Sequence, residues 1–515
     1  MSASSPAAAG RSPDVRGSPA HPLLYEINTR VLLGGISRRF GRPASFDDIP
    51  NEALHAVAEL GFDWIWFLGV WQTGETARAI SRTHASWQDD FHQALPDLTP
   101  ADICGSPFAI AGFEVDAAYG GNAALARLRE RVHAAGLRLM LDFVPNHVAP
   151  DHPWVRDRPF LFVQGSEAEL AAEPQNWLRV PAAEGPLVLA HGRDPYFSGW
   201  PDTVQLDYAN PDTQAAMGDV LLDIGGRCDG VRCDMAMLLL PEVFERCWGG
   251  QLHGRQVAEF WPDAIRRLRA SHPDFRLMAE VYWGLEATLI GQGFDFAYDK
   301  GLYDALQASD AVRVRELLSI EPAYQSHLAR FLENHDEPRA AATFGTQKHK
   351  AAAILTFCAP GLRFIHQGQL EGARTQIPVH LGRGPAEDID TGIHGFYLGL
   401  LSVLRDPVLR RGSFEVLAVD EAWEGNPSHA AFAASVWSIP AESDGGGPRL
   451  LCLVNYRADR GQCRVRLSHP SLSGRPVSLS DRLGPERYVR DGDALMGEGL
   501  YLDLPGWGYN VFAIG

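Results

Sequence analysis

Eight times between residues 22 and 370, a short apolar run gives way to polar or charged residues. The runs centre near residues 25, 66, 140, 231, 277, 296, 331 and 364. They include LLYEINTRVLL, FDWIWFLGV (62–70), LRLMLDFVP (137–145), CDGVRCDMAM (228–237), FRLMAEVYW (275–283), FDFAY (294–298), LARFLENHD (328–336) and LRFIHQG (362–368). Runs this short and this apolar suit strands covered on both faces. Segments with helical spacing separate most of them. Residues 51–60 form one, stopped by Gly61. Residues 122–135 form another, with Asn122 as the cap, Leu125, Leu128 and Val132 on one face and Gly136 as the stop. Residues 348–358 form a third. Alternating buried strands and helices build a parallel sheet, and eight strands favour closure. The expected class is therefore α/β, a (β/α)8 TIM barrel over residues 22–405.

Two stretches break the rhythm. Residues 147–205 are rich in Pro, Gly, Asp and aromatics and are too long for an ordinary loop, so they read as a subdomain inserted after strand three. Its aromatics, among them Trp154, Trp177, Tyr196, Phe197 and Trp200, read as subdomain core rather than as sugar platforms. Residues 406–515 carry the β-like runs AAFAASVWSI, LLCLVNY, CRVRL, PVSLS and GYNVFAI and read as a C-terminal antiparallel β-sandwich domain. Residues 1–21 are rich in Ser, Ala, Pro and Gly and lack the apolar centre of a signal peptide. They are expected to form a disordered tail on a cytoplasmic protein.

Composition narrows the partners. Lys+Arg 46 against Asp+Glu 64 gives a net charge of -18. Such a chain repels phosphate backbones and anionic membranes, so neither nucleic acid nor a membrane is expected, and a neutral substrate fits better. The seven cysteines show no CxxC spacing and read as buried reduced thiols.

The polar residues cluster where the runs end. The third ends Asp142-Phe143-Val144-Pro145-Asn146-His147, and the fourth holds Gly230-Val231-Arg232-Cys233-Asp234. The fifth ends Ala279-Glu280, and the seventh ends Glu333-Asn334-His335-Asp336. The C-terminal ends of barrel strands converge on one face, so Asp234, Glu280 and Asp336 are expected to meet. DFVPNH, GVRCD, AEVYW and ENHD, in this order, resemble the four short motifs of the α-amylase family of glycoside hydrolases (family thirteen). QLDY (205–208) resembles a fifth motif, and PGLRFIHQGQ (360–369) the segment around strand eight. The resemblance covers residues 22–405.

It implies Asp234 as nucleophile, Glu280 as general acid/base and Asp336 as transition-state stabiliser. It further implies sugar contacts from Arg232, His147, His335, Asp142, Phe108 and Arg339. Arg232 shares a strand face with Asp234 by period-two alternation and would keep it ionised. The chemistry requires no cofactor. Asn146 stands where the family often binds calcium, and it also suits a purely loop-ordering role. Met237 and Leu238 replace the Lys-His or Arg-His pair of many α-amylases, which points to short α-glucosides rather than bulk starch. The implied activity is retaining cleavage of α-1,4 bonds in an α-glucan or α-glucoside. Transglycosylation or isomerisation through the same covalent intermediate is the alternative. A non-catalytic sugar-binding relative is disfavoured because all three carboxylates are present.

Overall fold

The computed structural model describes residues 19–181, 185–439 and 447–515. Each of the eight apolar runs holds a strand: β1 (Leu23–Asn28), β2 (Trp64–Leu68), β3 (Arg138–Phe143), β4 (Gly230–Cys233), β5 (Arg276–Ala279), β6 (Phe296–Tyr298), β7 (Leu328–Arg330) and β8 (Leu362–His366). They close into one barrel in sequence order, with β1 beside β8 and every pair parallel. Most strand side chains are buried, as helices on the outside require, and Tyr25, Arg138, Arg276 and Phe296 are half-buried.

An aspartate precedes three of the strands and pins the register at the N-terminal end. Asp63, Asp229 and Asp295 accept the main-chain N–H of Leu23, Leu139 and Leu277, at 2.7, 2.7 and 2.9 Å. Each ties its strand to the preceding neighbour in the barrel.

The excursion between β3 and β4 is pinned where it leaves and returns. Residues His147–Val148 pair antiparallel with Val204–Gln205, His147 opposite Gln205. Inside lies a three-stranded antiparallel sheet of Gln164–Gly165, Leu187–Ala190 and Trp177–Val180. Beyond the barrel, a six-stranded antiparallel sheet and a three-stranded one enclose a second core. Alternation divides the work of the strand Arg449–Asn455. Leu451 and Leu453 face the second sheet, whereas Leu450, Cys452 and Val454 join the barrel core. All seven cysteines are free thiols, six buried and Cys104 half-buried.

Four expectations need correction. The expected tail over 1–18 lies outside the described residues, but His21, assigned to that tail, is buried. Its Nδ1 accepts from Gly361 N at 3.0 Å and its ring meets Trp437 edge-on. Asn122 does not cap its helix. That helix, Gly121–Ala134, starts after left-handed Gly120, and Asn122 Oδ1 accepts instead from Val115 N, tying the first turn to the preceding strand. Strand β7 stops at Arg330, so Glu333–Asp336 lie on the loop beyond it. Finally, two helices, Glu75–Thr83 and Ala85–Ala94, lie in the connection from β2 to β3 ahead of the expected helix over 122–135, in a stretch where no element was expected. No helix among the described residues is long and apolar enough to cross a membrane.

Candidate active site

Arg232 organises the C-terminal face of the barrel. It lies on β4 with its side chain fully enclosed, in register with Asp142 on β3 and Met278 on β5. Its Nη1 donates to Asp234 Oδ1 at 2.7 Å and its Nη2 donates to Glu280 Oε2 at 2.6 Å. These are neighbouring nitrogens of one planar fork. Two carboxyl groups held by one fork approach each other closely enough for the separation of about 5–5.5 Å found in retaining glycosidases. An inverting pair needs a wider gap, about 6.5–9.5 Å, for a water molecule.

Three other contacts fix Glu280. Its main-chain N donates to Cys233 O, Met235 N donates to Oε2 at 2.7 Å, and the Tyr282 hydroxyl donates to Oε1 at 2.8 Å. Burial pushes Glu280 up to about 7, against the pull of Arg232 and with the help of the Asp234 charge. A carboxyl group titrating there keeps its proton near neutrality, as a general acid must. Burial also raises Asp234, opposed by the Arg232 charge and hydrogen bond. The two carboxyls therefore titrate as a pair beside a guanidinium that stays charged.

Asp336 differs from both. Its side chain keeps 44% of its exposure, although protein surrounds it on several sides. Its Oδ2 is 3.0 Å from His335 Nε2, and His335 Nδ1 donates to Glu26 Oε1 on β1 at 2.6 Å. Burial opposes a charge on His335, but Asp336 and Glu26 outweigh it and hold the imidazole well above its ordinary value. Burial likewise opposes a charge on Asp336, and the His335 cation overrides it and keeps the carboxylate ionised. The Phe108 ring closes this side, 5.4 Å from the His335 ring and 5.2 Å from Arg232 Cζ.

The remaining expected residues take different places. Asp142 is buried behind Arg232, its Oδ1 4.0 Å from Nη1, while its Oδ2 accepts from Gly69 N at 2.7 Å. Burial lifts it to about 7. It braces the arginine and the β2 loop. His147 begins the excursion, 5.2 Å from the Trp200 ring, and burial drops it to about 3, which keeps it neutral. Arg339 does not face Asp234 and Glu280. Its guanidinium is spent on Glu333, His366 Nδ1 and the carbonyls of Gln367 and Thr375.

Calcium fits poorly at Asn146. Its Oδ1 and its main-chain O both accept from Gln205 Nε2 at 3.0 Å, and its Nδ2 donates to Gln205 Oε1 at 3.2 Å. Leu206 N binds the same main-chain O. A neighbouring amide thus occupies the oxygens that a cation would need. Among the described residues, no three His, Cys, Asp or Glu side chains are grouped to hold a metal. Asn146 orders the loop instead.

Sequence reasoning missed Glu26, Tyr282 and the outward-facing Tyr196 and Phe197, which are exposed rather than core. Glu26 carried a signal: one charge inside an apolar strand. The Tyr282 contact gives a prediction. Its hydroxyl stabilises the ionised form of Glu280, so Tyr282→Phe raises the pKa of that group by about one unit. The alkaline limb of the kcat/KM profile then moves upward from near pH 7. A limb that stays in place in this variant would remove Tyr282 from the site.

The family model described as "Alpha amylase, catalytic domain" matches residues 52–291. The α-amylase MalA of Haloarcula japonica is 24% identical over 360 residues, covering 68% of this chain and 44% of that protein. An alpha-1,4-glucan:maltose-1-phosphate maltosyltransferase of Cereibacter sphaeroides is 33% identical over 153 residues, covering 28% of this chain and 23% of its own. The chain thus aligns with less than half the length of either curated relative. The crystal structure of a maltogenic α-amylase, AmyB of Thermotoga neapolitana, superposes with a TM-score of 0.67 at 16% identity. That match covers 96% of this chain and 98% of the other, and it establishes the shared fold.

Proposed function

From the match of residues 52–291 to the α-amylase catalytic-domain model, we propose that this chain is a member of the α-amylase family, a retaining enzyme acting on α-1,4-glucosidic bonds by double displacement. One observation carries the reading: a single buried guanidinium bonds both the Asp234 and the Glu280 carboxyl groups. Asp234 attacks the anomeric carbon while Glu280 gives its proton to the departing glycosidic oxygen. The C1–O bond breaks and a C1–Oδ bond forms, with inversion. Glu280, now ionised, takes a proton from water, and the resulting hydroxide displaces Asp234 with a second inversion. Asp336, ionised beside His335, binds ring hydroxyls and balances the positive charge that builds at C1. His147, neutral, is free to bind a sugar hydroxyl.

The substrate on this reading is a neutral α-glucan fragment or α-glucoside. Charge steering is not needed to bring it to an acidic chain. No metal enters any step. A second reading, transfer to a sugar hydroxyl instead of water, gains support from the maltosyltransferase relative. It uses the same residues.

Maltooligosaccharides, glycogen, pullulan, sucrose and trehalose, with products separated by chromatography, form the test. Release of α-anomeric glucose or maltose supports hydrolysis, and longer oligomers or trehalose support transfer. Inertness on the whole panel overturns both. A chelator arm is expected to leave rate and melting temperature unchanged, because Gln205 occupies the oxygens around Asn146. A chelator that lowers either would overturn that part.

A further inference from the structure

Glu26 takes no part in the displacement steps, yet it is held inside the barrel beside the residues that do. It lies on β1, in register with Trp66 on β2 and His366 on β8, and none of its surface reaches water. An enclosed carboxylate is costly unless a cation faces it. Among the described residues its carboxylate has one hydrogen-bond partner. Its Oε1 accepts from His335 Nδ1 at 2.6 Å, and its Oε2 has no hydrogen bond. His366 Nε2 is 4.0 Å from that second oxygen, and its Nδ1 is turned instead to Glu333 and Arg339.

The His335 imidazole therefore lies between two carboxylates, 2.6 Å from Glu26 Oε1 and 3.0 Å from Asp336 Oδ2. A carboxylate ion offers only acceptors. A neutral imidazole has one N–H, so its other nitrogen would set a lone pair against an oxygen lone pair. The imidazolium has two N–H groups and removes that repulsion. The Trp66 ring, edge-on at 5.5 Å, and the Phe108 ring flank the imidazole. Among the described residues, no other cation stands within ion-pair distance of the Asp336 carboxylate. We propose that Glu26 is a positioning residue: it fixes His335 as a cation with Nε2 toward Asp336, and so keeps charge and aim on the carboxylate that balances the positive charge at C1. This rests on the reading of Asp336 given above and deepens it.

Glu26 acts on the sugar only through His335, so its loss should appear as a dependence on pH. The charged or titratable groups around His335 and Asp336 are Glu26 from β1, Asp142 from β3, Arg232 and Asp234 at β4, Glu280 at the end of β5 and His366 from β8. Glu26→Gln leaves all the others in place. The amide oxygen still accepts from Nδ1, but one anion is gone, so the imidazolium gives up its proton at lower pH.

Two readouts test this. The first is kcat/KM on α-glucosyl fluoride, whose fluoride leaves without a proton, taken as the quotient of Glu26→Gln over wild type, which cancels the limb of Glu280. The quotient is expected to fall about tenfold between pH 6 and pH 9, as His335 turns neutral in the variant alone. Glu26→Asp keeps the charge but withdraws it by one methylene, and its quotient should fall less. The second readout is the protonation state of the His335 ring in nitrogen-15 spectra of histidine-labelled protein, its signals assigned by their loss in His335→Gln. They should report imidazolium at pH 9 in the wild type and neutral imidazole at pH 9 in Glu26→Gln. A level quotient would mean that Glu26 only ties β1 to the loop after β7, and it would overturn the proposal. So would a neutral His335 in the wild type at pH 8, or a charged one in Glu26→Gln at pH 9. If Glu26→Gln does not fold, Glu26→Asp is read in the same way against wild type. If the wild type is inert on the fluoride, the proposed function fails by itself, and the spectra alone decide the role of Glu26.

Discussion

Asp234→Asn is expected to lower kcat/KM on every α-glucoside substrate by about 10⁴-fold or more, the usual scale for loss of a covalent nucleophile. The amide keeps an oxygen for the Arg232 bond, so the circular dichroism spectrum should match wild type. Glu280→Gln should behave differently. General acid catalysis contributes about 10²–10⁴-fold, and its share depends on how much the leaving oxygen needs a proton. Maltotriose needs one. Fluoride leaves without one, so α-glucosyl fluoride should retain far more of its rate in Glu280→Gln than in Asp234→Asn. Azide separates the two roles by stereochemistry. In Glu280→Ala it attacks the glycosyl-enzyme and yields the α-azide, retained after two inversions. In Asp234→Ala it attacks the substrate directly and yields the β-azide after one. Full activity in Asp234→Asn, or β-anomeric product from the wild type, would sink the assignment.

What the sequence disclosed follows from the physics of each part. All eight barrel strands were legible because parallel strands covered on both faces become nearly continuous apolar runs. The strand Arg449–Asn455 was legible for the same reason: each of its two faces packs on a core. The three carboxylates were legible only jointly, as polar ends of runs that a barrel must bring together. Contacts between distant elements were not. Glu26 and His335 are 309 residues apart, and nothing local couples them. Tyr196 and Phe197 sit in irregular chain, where no period marks which side faces water. Arg339 is near the fourth motif in sequence, yet Glu333 and His366 claim its guanidinium. The helices Glu75–Thr83 and Ala85–Ala94 bury few large apolar side chains: only Ala77 and Ser81 are buried in the first, and Phe91 and Ala94 in the second. They pack in two small satellite clusters set apart from the main core: Ala77 of the first with Ala109 and Ala149, and Phe91 and Ala94 of the second with Ile103 and Leu381.

Arg232→Met is expected to be the most destabilising single change at the site. It leaves the Asp234 and Glu280 carboxyls buried without their cation, and breaking such a pair costs about 3–5 kcal/mol. The penalty depends on pH in a definite direction. Glu280 titrates near 7 in the fold, above its ordinary range of about 4.3. A group raised in this way stabilises fully below its unfolded value, and that contribution is lost as pH rises through its folded value. The Arg232 charge pulls Glu280 and Asp234 downward. Removing it raises both further, so the loss deepens and extends to higher pH. Thermal denaturation should therefore show a small gap between wild type and Arg232→Met at pH 5, where both carboxyls can hold protons. At pH 8, where the fold must keep them charged or pay to protonate them, the gap should be several degrees wider. Arg232→Lys should fall between, because an ammonium restores charge but not a fork that reaches both partners. Equal gaps at the two pH values would mean that the guanidinium does not carry the charge of the pair.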